Sequence, residues 1–117
     1  MLKDASEDDW LELYPSAVTV CDIHGVITAM NSAARKNFSS RGGGDLIGTS
    51  LFDCHPEPAN SKIRKMLHGQ QAQTYIVEKK GRKRLIHQSP WYKQGKFAGL
   101  METIIDLAGD IQQHNRT

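Results

Sequence analysis

The chain has 117 residues, the length of a single domain, and 38% of them are hydrophobic and 24% charged. This balance argues against a disordered chain, and no apolar run approaches the roughly 20 residues of a membrane span, so we expect no membrane partner. The acidic N-terminus lacks the pattern of a secretory signal. Two widely spaced cysteines, Cys21 and Cys54, argue against a disulfide scaffold or a zinc ribbon. We therefore expect a cytoplasmic protein.

The net charge of +2 is distributed unevenly along the chain. Residues 1–60 carry four basic and nine acidic side chains, whereas residues 61–117 carry eleven basic and four acidic ones. Such an asymmetry is compatible with a basic surface for nucleic acid or with a dipole used in self-association. It does not decide between the two.

The first predicted element is a short helix near the N-terminus. The run Ser6-Glu7-Asp8-Asp9 has the form of a capping box, and Pro15 ends the helix. We predict an N-terminal flanking helix within residues 1–14. Because two helical turns are marginally stable alone, its apolar stripe is expected to pack on the sheet or on the same helix of a second copy. The stripe consists of Trp10, Leu13 and Tyr14. From this packing we predict a homodimer.

β-Branched residues then predict two strands joined by a tight turn. Residues 17–22 and 26–30 are rich in them, and Gly25 permits the positive φ that a hairpin turn needs. Asn31 is a suitable N-cap for the helix that follows. That helix is expected to end in a flexible loop over residues 39–44.

The longest predicted helix covers residues 59–68. Pro56 and Pro58 suit its start, and Gly69 suits its end. Its apolar residues fall on one stripe, which consists of Ala59, Ile63, Met66 and Leu67.

The hydrophobic period then changes to two. Residues 73–80, 82–92 and 96–106 predict three strands of an antiparallel meander, joined at Gly81 and Gly95. With helices collected between the second and third of five strands, the predicted class is α+β. The expected architecture is one five-stranded antiparallel sheet with short helices on one face.

Several residues in this order resemble the PAS domain family of sensor modules. The carrying pattern is Asp22-x-x-Gly25-x-Ile27-x-x-x-Asn31-x-Ala33-Ala34, followed by Leu46-Ile47-Gly48, by Gly69 and by the closing run Ile104-Ile105-Asp106-Leu107. The resemblance implies a PAS-like domain over residues 15–108, with residues 109–117 as a C-terminal tail or linker.

A narrower resemblance joins Cys54-His55-Pro56, Gly69 and Leu85-Ile86-His87. These residues resemble a PAS domain that lies at the C-terminal end of a group of poorly characterised bacterial proteins and contains a C-H-P step. It implies a bacterial regulator.

The family resemblance implies a cavity between the sheet and the short helices, with the helix over residues 59–68 as its wall. We expect a regulatory module of a signalling or transcription-regulating protein, which binds a small apolar ligand and signals through its flanking helices. Two alternatives stay open: a ligand-free dimerisation or protein-interaction domain, and a haem-dependent gas or redox sensor. The expected cavity lining is Ile27, Phe52, Ile63, Met66, Leu67, His87 and Leu100.

The side chains of this sequence could bind haem iron or another metal as a cofactor. Cys54 and His55 are candidate metal ligands if haem or metal is bound, and His87 is a further candidate axial ligand. Helical periodicity turns His68 away from the apolar stripe, so it is not expected to ligate iron. The asparagine-cysteine-arginine-phenylalanine run of flavin-binding light sensors is missing, so we do not expect flavin.

Two further functions are not favoured by the sequence. The basic run Lys79-Lys80-Gly81-Arg82-Lys83-Arg84 straddles a predicted hairpin turn without interleaved aromatic residues, so we do not expect nucleic-acid binding. No nucleophile turn, phosphate-cradling loop or pair of catalytic acids is recognisable, so we do not expect an enzyme.

Overall fold

The computed structural model of the chain describes residues 9–117. Its strands are β1 (Ala17–Cys21), β2 (Ile27–Met30), β3 (Gln73–Lys79), β4 (Arg82–Lys93) and β5 (Lys96–Leu107). Its α-helices are α1 (Ser32–Asn37), α2 (Leu51–Cys54) and α3 (Ala59–Gly69), and two 3-10 turns lie between α1 and α2 at Ser39–Arg41 and Gly43–Leu46. No described helix is long and apolar enough to cross a membrane.

The five strands form one sheet in the order β2-β1-β5-β4-β3, and every neighbouring pair is antiparallel. This confirms the predicted α+β class, with a five-stranded antiparallel sheet and short helices between β2 and β3. The central strand β5 pairs with both β1 and β4, which brings the beginning and the end of the domain together.

The sheet has two faces of different composition. On the inner face, which we define as the side that carries the helices, Ala17 and Cys21 of β1 contact residues of α1 and α3 respectively. On the outer face, Val18 and Val20 pack with Leu11 of the N-terminal segment. Because successive side chains of a strand point to opposite sides, this assignment fixes the face of every residue paired with β1.

The predicted hairpin between β1 and β2 is stabilised by an aspartate side chain. Asp22 Oδ1 accepts hydrogen bonds from the backbone N–H groups of His24 (2.9 Å) and Val26 (3.0 Å). Gly25 has a φ of +83°, and a Cβ at this position would lie 2.8 Å from Phe52 Cε2. Gly25 thus provides both the positive φ and the room for Phe52.

The N-terminal segment differs from its prediction. Residues 1–8, with most of the capping box, lie outside the described residues, and residues 10–13 form one turn in which the Leu13 N–H donates to the Asp9 carbonyl (2.7 Å). Leu11 is buried against the outer face, whereas Trp10 and Leu13 are 69% and 65% exposed. The predicted stripe therefore does not pack on the sheet of its own chain, because the turn presents Leu11 instead.

Candidate functional site

Most of the residues predicted to line a cavity lie between α3 and the inner face. Ile63 and Met66 are buried against Cys21 and Leu100, and we call these four residues the α3 cluster. Three half-buried side chains pack against them, namely Leu51, Phe52 and Leu67. Five of the seven predicted residues are thus together: Phe52, Ile63, Met66, Leu67 and Leu100.

Ile27 lies in a second cluster nearer to α1. This α1 cluster consists of the buried residues Ala17, Ile27, Met30, Ala34, Ile86 and Ile104. Leu51 packs against both clusters, so the two are neighbours on the same side of the sheet.

His87 is not on the inner face, which corrects its predicted place in the cavity lining. Its neighbour Ile86 belongs to the α1 cluster, so His87 points to the outer face. There it is exposed, and its Nδ1 lies 2.7 Å from the Thr74 hydroxyl of the adjacent strand. His87 therefore cannot bind iron held on the inner face.

Cys54 and His55 lie at the end of α2. Cys54 Sγ is 3.3 Å from His55 Nδ1, which is itself 2.8 Å from the Leu51 carbonyl oxygen. Because a carbonyl only accepts, Nδ1 carries the proton in this arrangement and Nε2 is the nitrogen able to coordinate a metal. Cys54 is exposed and His55 half-buried, and no group of three potential ligands for a metal ion occurs within residues 9–117. His68 is exposed, as its place on the helix predicts.

A row of polar side chains crosses the inner face between the two clusters. Strand pairing places Thr19 of β1 opposite Glu102 of β5, Glu102 opposite Gln88 of β4, and Gln88 opposite Gln73 of β3. We call these four residues the polar row. Gln73 Nε2 donates to Gln88 Oε1 (2.6 Å), and Gln88 Nε2 donates to Glu102 Oε2 (2.7 Å).

The polar row was not predicted from the sequence. Each strand by itself shows only a polar residue at an inward position, for example Glu102 between Leu100 and Ile104. Recognising the row needs the register of four strands, which places these residues side by side.

Two titratable side chains next to the polar row have raised pKa values. Burial raises the pKa of the Cys21 thiol to about 11. Burial also raises the pKa of the Tyr75 phenol, and the nearby Glu102 carboxylate raises it further. At neutral pH Glu102 is thus flanked by uncharged groups.

Asn31 joins the N-terminal segment to the inner face. This buried side chain accepts from the N–H groups of Val18 (2.9 Å) and Ala34 (3.0 Å) through Oδ1, and it donates to the carbonyls of Leu11 (3.1 Å) and Ser16 (2.9 Å) through Nδ2. The predicted N-cap is therefore present, and the same side chain also binds β1 and the segment before it.

Known proteins share this architecture. The family model for the PAS fold matches residues 11–109, and no curated protein matches the chain. Many solved structures are similar to the chain, among them the following three. A dual PAS-haem oxygen sensor of Vibrio cholerae is 14% identical with a TM-score of 0.60, and the match covers 80% of this chain and 95% of that one.

The other two structures are the PAS domain of a histidine kinase and a DNA-binding receptor. The PAS domain of the histidine kinase ThkA is 21% identical with a TM-score of 0.62, and the match covers 78% of this chain and 98% of that one. The dimeric receptor VqmA of Vibrio cholerae, of the LuxR type, is 18% identical with a TM-score of 0.65, and the match covers 88% of this chain and 51% of that one.

Proposed function

The chain belongs to the PAS-fold family, and from this premise we propose that it is a regulatory sensor module that binds a small molecule on the inner face beside α3. The half-buried side chains at the edges of the two apolar clusters supply surface for the body of the ligand, and the polar row between the clusters supplies hydrogen-bonding groups. Ligand sites typically combine a mostly apolar wall with a few polar groups of fixed orientation.

The observation that carries this proposal is an uncovered part of the inner face. Tyr75 and Val77 of β3 point to the inner side, yet they are 42% and 40% exposed. Phe52 and Leu67 are half-buried at the edge of the α3 cluster. Tyr75 is the inward residue that follows Gln73 of the polar row, whereas Val77 lies one inward position further away. A small molecule seated on the polar row would cover Tyr75 and the edge of the α3 cluster and remove this apolar surface from water, which favours binding.

The proposed output passes through the N-terminal segment. Asn31 caps α1 and holds the carbonyls of Leu11 and Ser16, while Arg35 of α1 binds Glu12. A ligand that displaces α1 therefore also displaces residues 11–16. This is the route by which we propose that occupancy reaches a neighbouring output element.

A second copy of the chain is the proposed protein partner. On the outer face, Ile76, Leu85 and Ile105 lie side by side on β3, β4 and β5, and Ile76 is 57% exposed. Trp10 and Leu13 add exposed apolar surface in the N-terminal segment. A homodimer that covers these residues would remove an apolar area of the kind that marks interaction surfaces.

The similar structures support this function by analogy. One is an oxygen sensor, one is part of a histidine kinase and one is a LuxR-type receptor. By analogy we propose a sensory role for this chain, and we propose that it has no catalytic activity of its own. The free cysteines Cys21 and Cys54 support the proposal that it works in the cytoplasm.

The test is native mass spectrometry of the freshly purified full chain, followed by the same measurement after denaturation. We expect a native mass above the 13.1 kDa of the polypeptide, and the difference should disappear on denaturation. An absorption spectrum of the same sample distinguishes haem from other ligands. A native protein that always has the polypeptide mass, and that no small-molecule probe stabilises, would favour the ligand-free interaction domain.

A further inference from the structure

Glu102 occupies the middle of the polar row with one oxygen unused. Its Oε2 accepts from Gln88 Nε2, and the Gln73 amide fixes the orientation of Gln88 by donating to Gln88 Oε1. A reversed Gln88 amide would place its oxygen against the carboxylate. The two glutamine amides are therefore oriented so that the Gln88 N–H group points toward Glu102. Within the described part of the chain, no side chain donates to Oε1.

No cation of residues 9–117 neutralises this carboxylate. Arg84 also points to the inner side, but its guanidinium donates to Asp106 and to Asn37 of α1. The ion pairs of the described residues join Arg35 to Glu12 and both Arg82 and Arg84 to Asp106. A half-buried carboxylate flanked by apolar clusters therefore lacks the counter-charge that such groups normally have.

Thr19 adds a second unused acceptor next to Glu102. It lies opposite Glu102 on β1, and its hydroxyl oxygen is buried without a hydrogen-bond partner among the described residues. Buried hydroxyls nearly always have a partner, so this one indicates that a group is needed at this point of the row. Both unused atoms can accept a hydrogen bond, and the Thr19 hydroxyl can also donate one.

We propose that the ligand of this inner face carries a protonated amine, which pairs with Glu102, next to a small apolar body that packs on the α3 cluster. An ammonium offers the positive charge and the donors that Glu102 and Thr19 lack. An anionic ligand would be repelled by Glu102, and a neutral alcohol would leave the carboxylate without a counter-charge.

The spacing along β5 sets the size of this ligand. Leu100 of the α3 cluster and Glu102 are successive inward residues of one strand, so their side chains start roughly 7 Å apart. An aromatic ring joined to an amine by two carbons spans such a distance. This inference rests on the proposed function, because it names the ligand class of the same face.

The experiment compares three probes of matched size: 2-phenylethylamine, 2-phenylethanol and 3-phenylpropanoate. Binding to the full chain is measured by isothermal titration for the wild type, for Glu102→Gln and for Glu78→Gln. Glu78 is an exposed residue on the outer face of β3, so its variant removes the same charge away from the site. We expect the wild type to bind the amine about tenfold or more tightly than the alcohol.

Glu102→Gln should abolish this preference, with little change for the alcohol, and Glu78→Gln should retain it. Thr19→Val is a second variant within the site, and it is expected to weaken binding of the amine severalfold without affecting binding of the alcohol. Equal binding of amine and alcohol, tighter binding of 3-phenylpropanoate, unchanged amine binding in Glu102→Gln or no amine binding would each overturn the proposal. The first three of these outcomes would overturn the amine proposal but leave the proposed sensor function intact. The sensor function fails as well if no probe binds and the native mass equals that of the polypeptide.

Discussion

The Glu12 carboxylate and the Arg35 guanidinium join the N-terminal segment to α1 through two hydrogen bonds of 2.6 and 3.0 Å. Arg35 also donates to the Met30 carbonyl (2.7 Å), and the Ser32 N–H donates to the Glu12 carbonyl (3.1 Å). A bidentate pair of this kind fixes the relative orientation of the two elements. The N-terminal segment, which we propose as the route of the output, is thus attached to α1 through both the side chain and the backbone of Glu12.

The first prediction is that acid releases this segment. The hydrogen bond from Arg35 holds the pKa of Glu12 below its ordinary value of 4.5. Because the pKa is lower in the folded state, the contact contributes fully to stability at any pH above the ordinary pKa. Its contribution is lost as the pH falls through the lowered pKa. We expect the backbone amide signal of Ser32 in NMR spectra to move only below about pH 4.5.

Glu12→Gln should show the shifted Ser32 signal already at neutral pH, because the pair with Arg35 has lost its charge. Glu57→Gln is the control, since Glu57 is an exposed carboxylate that binds Ser61 at the start of α3. A Ser32 signal that titrates equally in wild type and Glu12→Gln would contradict the prediction.

The second prediction concerns the buried amide of Asn31. Asn31→Ala leaves the buried N–H groups of Val18 and Ala34 and the carbonyls of Leu11 and Ser16 without this partner. We expect the free energy of unfolding in urea to fall by about 3 kcal/mol or more. Asn31→Asp keeps the oxygen that accepts from Ala34, so α1 should remain capped. It removes the donor to the Leu11 and Ser16 carbonyls, so the backbone amides of the N-terminal segment should exchange with solvent hydrogen faster. A loss below about 1 kcal/mol for Asn31→Ala would contradict this account.

The strands were predicted closely because their signals are local. The segments over residues 73–80, 82–92 and 96–106 agree within one residue with β3, β4 and β5, since glycine turns interrupt a clear alternation. The side of the sheet was harder to assign. Leu85 and Ile86 are both apolar, so the sequence does not show whether His87 follows an inward or an outward residue, and the structure places it outward.

Contacts that leave no trace in the hydrophobic or turn pattern explain the remaining differences. Residues 39–44 were expected to be flexible, but two 3-10 turns form there, and the Gly43 N–H donates to the Phe38 carbonyl (3.0 Å). Gly99 is another example: a Cβ there would lie 1.9 Å from the Cys21 carbonyl oxygen of β1. Such approaches depend on the partner strand and leave no local pattern.

The third prediction separates packing from binding on α3. Ile63 is buried in the α3 cluster, so Ile63→Ala should lower the free energy of unfolding by about 2–5 kcal/mol. Leu67 is half-buried at the edge of the cluster, and Leu67→Ala should cost about 1 kcal/mol while weakening the binding of 2-phenylethanol. Urea unfolding and titration of the alcohol measure the two effects. Equal losses of stability in both variants would show that Leu67 belongs to the closed core.

The fourth prediction concerns the two thiols. Cys54 is exposed, whereas Cys21 is buried in the α3 cluster and burial raises its pKa to about 11. Because the thiolate is the reactive form, one thiol per chain should react rapidly with a disulfide reagent at pH 8, and the second only after unfolding. Cys54→Ser should remove the rapid phase, and Cys21→Ser should leave it unchanged. Two rapid thiols would mean that α3 opens readily over Cys21.

The fifth prediction concerns self-association through the outer face. Ile76 is 57% exposed there and lies next to Leu85, which in turn lies next to Ile105. Ile76→Lys places a charge within this apolar row, and we expect it to weaken the dimer about tenfold or more in light-scattering titrations. The following residue, Val77, provides the control because it points to the inner side of the same strand and is 40% exposed. Val77→Lys should retain the dimer, and equal weakening by both variants would place the interface at the edge of β3 instead of on the outer face.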